Sequence, residues 1–231
     1  MSQLLDDNAL ESSWVVTNCL MNRERGCVGA NSYAKELGLN PLEFLSQRLS
    51  RQKQAAWLDL CCGSGKALIE AARHFQTQQQ TTGLRIIGVD LVSLFQSCEE
   101  AFDFLDLQTA NLAVWQPQQQ FGLITCVHGL HYLGDKLSLI ERAATWLKPD
   151  GLFIANLDPA NLRYADGAPA GKAILKRLRV CGFEYLKRKH LLALHGQRHF
   201  QFGLRYLGAE ENAGANYTGQ AAVNSHYEAS A

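Results

Sequence analysis

The feature that most restricts the fold is a change of hydrophobic period at residue 55. From there, short apolar runs of strand length alternate with stretches of helical spacing. Residues 55–60 form an apolar run ending in a glycine turn, and 67–75 carry apolar residues at helical spacing. A glutamine- and threonine-rich loop at 76–83 leads to a second, β-branched run at 85–89, closing on Asp90. A short helix near 93–102 and a third strand at 105–110 are expected next. Another glutamine-rich loop, 116–120, precedes a fourth strand at 121–127 and a helix at 135–147 with Leu137, Ile140, Ala144 and Leu147 inward. Lys148-Pro149-Asp150-Gly151 reads as a turn before a fifth strand at 152–157. Such alternation predicts right-handed βαβ units, and hence a parallel sheet covered by helices on both faces.

The flanks differ from this pattern. Residues 9–21 read as a helix, 22–31 as a polar segment, and 32–37 as a short helix ended by Gly38. Asn40-Pro41-Leu42-Glu43 has the order of a helix start, with a cap, a proline and an acid in the first turn. Leu42, Leu45 and Leu49 give that helix one apolar face. After the sheet, 172–181 is amphipathic through Ile174, Leu175, Leu178 and Cys181. Extended runs at 190–194 and 200–207, joined across Gly196, read as a hairpin. Residues 208–231, rich in Ala, Gly and Asn, read as a tail or a lid. The expected organisation is a helical cap at 1–53, a nucleotide-type domain at 54–207 and the terminal segment.

The balance of 22 basic and 22 acidic side chains lacks the cationic excess of a nucleic-acid binder, so a nucleic-acid partner is disfavoured. Seven cysteines, with no C-x-x-C pair, support neither a zinc site nor a thioredoxin-like site; reduced thiols in a cytoplasmic protein are the expectation. Asp6, Asp7 and Glu11 replace the basic start of a signal peptide, and no run of about 18 apolar residues predicts a membrane span. The oligomeric state is open.

The chemistry concentrates where the first strand turns into the first helix, at Leu58-Asp59-Leu60-Cys61-Cys62-Gly63-Ser64-Gly65-Lys66. Glycine there lets a ligand approach the backbone, and the helix start offers free N–H groups. A phosphate-binding Walker loop fails, because Leu60 stands where its first glycine belongs and Ala67 follows the lysine. A dinucleotide fingerprint lacks its third glycine at Leu68, which weakens an NAD-dependent oxidoreductase. An ordinary tight turn remains the plain alternative.

Four segments in order resemble the class I S-adenosylmethionine-dependent methyltransferases, particularly their small-molecule-type domains. They are Leu58-Asp-Leu-Cys-Cys-Gly-Ser-Gly65, Ile87-Gly-Val-Asp90, Phe121-Gly-Leu-Ile-Thr-Cys-Val-His-Gly-Leu-His-Tyr132 and Leu147-Lys-Pro-Asp-Gly-Leu-Phe153. The resemblance covers about residues 55–207. It implies a Rossmann-like, doubly wound α/β fold: a seven-stranded sheet, mostly parallel with a late antiparallel strand. It also implies the cofactor S-adenosyl-L-methionine. Asp59, Gly63 and Gly65 would line its methionine end, Asp90 would hold the ribose, Asn111 and Leu112 would lie beside the adenine, and Val127 and His128 would border the sulfonium. Cys61 stands at the first glycine of the commoner pattern, Asn111 at an acid, and Gly122 at an aspartate.

A sulfonium methyl group is already activated, so transfer rests mainly on placing the acceptor in line. A base is needed only for a protonated acceptor, and His128 or His131, past the fourth strand, would serve. Packing or capping is the competing reading of both. Arg23, Arg25, Tyr33 and Tyr132 are candidates for the acceptor pocket, and Tyr217-Thr-Gly-Gln220 for a lid. A small-molecule acceptor is expected; a non-catalytic adenosylmethionine-binding module is the other class of function the residues allow.

Overall fold

A computed structural model describes residues 4–17, 24–211 and 213–229. The central element is a seven-stranded sheet in the order β3-β2-β1-β4-β5-β8-β7. Its strands are β1 (Ala55–Leu60), β2 (Leu84–Asp90), β3 (Leu105–Thr109), β4 (Phe121–Cys126), β5 (Leu147–Asn156), β7 (Glu184–Leu186) and β8 (Leu191–His195). The first five pair in parallel, whereas β8 runs antiparallel to both β5 and β7. The sheet is therefore the Rossmann-like one expected, with one late antiparallel strand.

Every residue of β1 is buried, as a parallel strand covered on both faces requires. Alternation divides its side chains: Ala56, Leu58 and Leu60 enter one core, and Ala55 and Trp57 the other. The first core takes the inner faces of α6 (Lys136–Trp146) and α7 (Gly171–Val180). The second takes α3 (Tyr33–Leu37), α4 (Pro41–Gln52) and α5 (Lys66–Thr77). Caps set the helix starts, with Ser32 accepting from the Lys35 N–H and Asn40 from the Leu42 N–H. Gly122 follows from α4: a Cβ there would lie 2.4 Å from Nε of Arg48, which crosses to bind Asp150.

Several expectations are corrected. Residues 93–102 form no helix; the Gln96 N–H donates to the Ser64 carbonyl (2.8 Å), so this stretch is held by the glycine loop rather than by itself. The 148–151 turn is absorbed into β5 as an irregularity, with Leu147 opposite Phe121 and Leu152 opposite Leu123. The first helical stretch is two short helices, α1 (Asp7–Glu11) and α2 (Trp14–Thr17), and Met21 lies outside the described residues.

The hairpin between 190–194 and 200–207 does not form. Strand β8 belongs to the main sheet, while β9 (Leu204–Glu210) joins β6 (Leu162–Tyr164) and β10 (Asn224–Ala229) in a separate sheet, order β6-β10-β9. The boundary expected at 207 thus falls inside β9, and β10 lies within the terminal segment. Leu5 and Ala209 exchange backbone bonds of 2.8 and 2.9 Å, so the start of the chain packs on this small sheet. Lys136 fastens it to the main domain. Its fully buried ammonium donates to the carbonyls of Leu133 and Val223 and to Oγ of Ser225 at 2.7–2.8 Å.

Candidate functional site

A cavity opens at the carboxyl ends of β1, β2 and β4, the edge where open α/β sheets bind ligands. The loop after β1 forms one side. Cys61, Gly63 and Gly65 all have positive φ, at 58°, 61° and 71°. Two of the three are glycine, to which this region is free; Cys61 adopts it at a cost of order 1 kcal/mol. Asp90 closes β2 beside this loop and is 8% exposed. Its Oδ2 accepts from the Gly63 N–H (2.8 Å) and its Oδ1 from the Val92 N–H (3.1 Å). Both carboxylate oxygens are thereby aimed by backbone, and Cys61, Gly63 and Asp90 share the cavity wall.

Asn111 and Leu112 continue that wall after β3. Asn111 forms a local turn, its Oδ1 accepting from the Ala113 N–H at 2.7 Å. Leu112 is buried, and Arg142, which also lines the cavity, donates to its carbonyl. Val127, His128, Gly129 and Tyr132 form the wall after β4. A Cβ on Gly129 would come within 2.3 Å of Cβ of Cys61, so these two loops touch across the cavity floor. Leu10, Glu11 and Val16 of the N-terminal segment also line the space.

Other predicted residues lie elsewhere. Asp59 is fully buried beneath the loop, accepting from Tyr33 Oη (2.7 Å) and Thr125 Oγ1 (2.5 Å). Burial pushes its carboxyl up to about 7, although both hydroxyls oppose that rise. Tyr33 is therefore a prop under the loop rather than part of the acceptor pocket. Gly65 caps α5 and packs against Leu107, outside the cavity lining. Arg23 lies outside the described residues. Arg25 donates to Asn31 Oδ1 (2.9 Å) and lies 3.6 Å from Glu36 Oε2, away from the cavity wall.

The two histidines separate clearly. His128 is 1% exposed, has φ 59° and lines the cavity. His131, equally buried, does not line it; burial pushes its imidazole down to about 3, with the His128 and Lys136 charges adding to the fall. It stays neutral at physiological pH and is a weak proton acceptor. Tyr132 donates to Gln220 Oε1 (3.0 Å), and Tyr217 stacks on His190 with ring centroids 3.9 Å apart. The 217–220 segment thus covers the histidine end of the site, with Tyr217 5.4 Å from the His131 ring and 6.2 Å from that of His128.

Sequence reasoning missed Glu36 and Asn156. Glu36 Oε1 lies 3.2 Å from His128 Nε2, and burial is outweighed there by the histidine, which lowers the Glu36 carboxyl. Asn156, at the end of β5, accepts from the His128 backbone N–H (3.2 Å) and donates to Glu36 Oε1 (3.2 Å). The only sequence signal was position: Asn156 follows a strand at the ligand-binding edge, and Glu36 sits in the cap. No group of His, Cys, Asp and Glu suited to a metal ion occurs among the described residues, and no described helix is long and apolar enough to cross a membrane.

A Rossmann-like sheet with this loop and acid at its carboxyl edge defines a nucleoside-cofactor fold, and the comparisons specify it. Residues 32–202 match the family described as "Methyltransferase domain", and the chain belongs to that family. A ubiquinone biosynthesis O-methyltransferase of Histophilus somni (strain 2336) is 27% identical over 159 residues, covering 61% of this chain and 61% of that protein. Among solved structures, the [4+2]-cyclase SpnF is similar over 71% of this chain and 62% of that one (18% identity, TM-score 0.45). Coclaurine N-methyltransferase, bound to N-methylheliamine and SAH, is similar over 67% and 48% (14% identity, TM-score 0.40).

Proposed function

We propose that the chain is an S-adenosylmethionine-dependent methyltransferase acting on a small-molecule acceptor. The observation that carries this is the union of Asp90 with the Cys61–Gly63 loop on one cavity wall, in a chain of the methyltransferase-domain family. The residues fit the cofactor. A buried carboxylate held by two backbone N–H groups suits a ribose diol, and the positive-φ loop suits close approach of the methionine end. Leu112 and Val127 supply apolar walls, and Asn111 would offer a polar edge to the adenine. When bound, the cofactor supplies a methyl group activated by a sulfonium.

The chain's own residues bind and orient. Asp59, Tyr33 and Thr125 hold the loop from beneath, and Val127 and His128 border the transfer position. Leu10, Glu11 and Val16 act as part of a cap, and the 217–220 segment as a cover over the acceptor end. The related O-methyltransferase favours a hydroxyl acceptor, and a cytoplasmic enzyme accords with the absence of a described membrane-spanning helix. Incubating the protein with methyl-labelled S-adenosylmethionine and a whole cell extract, then separating the low-mass, protein and RNA fractions, tests the reading. A labelled low-mass product is expected; label only in protein or RNA contradicts it.

A further inference from the structure

We propose that the 214–220 loop, between β9 and β10, is a lid that opens to admit the acceptor by an entrance separate from the cofactor's. This deepens the reading above and rests on it. In-line transfer puts the acceptor on the side of the methyl group opposite the sulfur, so the two molecules approach the end of β4 from different directions. The cavity walled by Asp90, Asn111 and Val127 supplies one approach. The other lies beyond His128, between the ends of β4 and β5, and Tyr217 plugs it. The Tyr217 ring is 6.2 Å from that of His128 and 5.4 Å from that of His131, and its hydroxyl bonds Asn156 at the end of β5. The plug is 37% exposed, so solvent lies directly behind it.

The loop is built to move as one piece. Its tip is closed on itself: the Asn216 N–H donates to the Gln220 carbonyl (2.7 Å), the Gly219 N–H to the Asn216 carbonyl (2.9 Å) and the Thr218 N–H to Asn216 Oδ1 (2.7 Å). The Ala222 N–H pairs the two stems by donating to the Gly214 carbonyl (3.2 Å), and the Val223 N–H fixes the start of β10 on the His131 carbonyl (2.9 Å). Gly214 has φ 84°, and no atom lies within 4 Å of where its Cβ would be, so this pivot meets nothing as it turns. The tip is held down by polar and ring contacts. The Tyr217 N–H donates to Asp158 Oδ2 (3.2 Å), Tyr132 Oη donates to Gln220 Oε1 (3.0 Å), and the Tyr217 ring stacks on His190.

Closure carries a cost on both sides of the contact. Both ring nitrogens of His131, and Nδ2 of Asn216 in the tip, are buried with no hydrogen-bond partner among the described residues. Unsatisfied polar groups penalise the closed state and offset the bonds to Asp158 and Gln220. A segment with few buried apolar contacts and such a balance opens locally, without unfolding of the sheets that carry it.

Diethyl pyrocarbonate, which acylates neutral imidazole, reads the opening in the full-length protein through peptide masses. His131 is 1% exposed, does not line the cofactor cavity and stays neutral, so the reagent meets it when the lid lifts. The exposed His74 and His199 serve as references. Slow but measurable modification of His131 is expected in the wild type. Asp158→Ala is expected to raise the rate about tenfold by loss of one hydrogen bond, and Asp158→Asn, which keeps an acceptor oxygen, to stay near the wild type. Saturating S-adenosylhomocysteine is expected to leave the His131 rate unchanged, because it fills the other entrance. An unmodified His131 in both the wild type and Asp158→Ala, or its protection by bound S-adenosylhomocysteine, overturns the proposal. So does an equal rise in Asp158→Ala at the buried His226, which reports general unfolding. Calorimetry measures separately whether S-adenosylhomocysteine binds. Its failure to bind sinks the methyltransferase reading, whereas the Asp158 comparison tests the lid alone.

Discussion

The backbone N–H of Gly63 donates to Oδ2 of Asp90 at 2.8 Å, locking the loop after β1 to the acid that ends β2. Two segments 27 residues apart thus form one wall of the cavity. Under the proposed function, cofactor affinity and loop geometry would be coupled through this bond, and substitutions on either side would act on both.

Cys61 holds a glycine's conformation. Cys61→Gly removes left-handed strain of about 1 kcal/mol but adds a comparable chain-entropy cost. Urea unfolding is expected to place it within about 1 kcal/mol of the wild type. Cys61→Val, β-branched in the same region, is expected to lose roughly 1–3 kcal/mol. Equal stability of the valine and glycine variants contradicts the assigned backbone.

Gly129 lies against Cys61. Gly129→Ala would bring a methyl group within 2.3 Å of Cβ of Cys61 and 2.9 Å of Sγ of Cys126. Its melting temperature is expected to fall by several degrees, as overpacking costs about 1–3 kcal/mol. Adding Cys61→Gly is expected to restore part of the loss, and strictly additive effects contradict the contact.

The support under the loop is pH-dependent. Asp59 loses its proton near pH 7 when folded, against an ordinary value of 3.8, so the native state holds one extra proton between these values. Its contribution to stability is complete below about pH 4 and is lost as pH rises through about 7. Tyr33→Phe removes a donor to this carboxyl. The expected cost is about 1.5–3 kcal/mol at pH 8.5, where Asp59 is charged, and about 0.5–1.5 kcal/mol at pH 5.5, where it is neutral. Chemical denaturation at the two pH values reads the difference; a larger cost at pH 5.5 contradicts the assignment.

Local signals and tertiary contacts divided the legibility of this chain. Strand β1 and the start of α4 were readable because an apolar run, and the Asn40-Pro41 pair, act within a few residues. Gly63 and Asp90 were readable as neighbours at the carboxyl edge of the sheet, where the cavity lies, because strand-end chemistry is local too. The small sheet was not, since β9 and β10 pair across the intervening 211–223 and β10 in turn pairs with the three-residue β6. Cys61 hid a left-handed turn behind a residue type that rarely makes one. Asp59 looked like a ligand residue because nothing in its neighbourhood reveals that Tyr33 and Thr125 occupy both its oxygens. Glu36 meets His128 from 92 residues away, a contact no periodicity announces.

The central claim is most directly tested by calorimetric titration of wild type and Asp90→Ala with S-adenosylmethionine. One site per chain is expected in the wild type. Loss of charge-assisted bonds to Asp90 is expected to cost about 1–3 kcal/mol, roughly 5- to 150-fold in affinity. An unchanged affinity in Asp90→Ala, or binding of NAD with none of S-adenosylmethionine, would contradict the account.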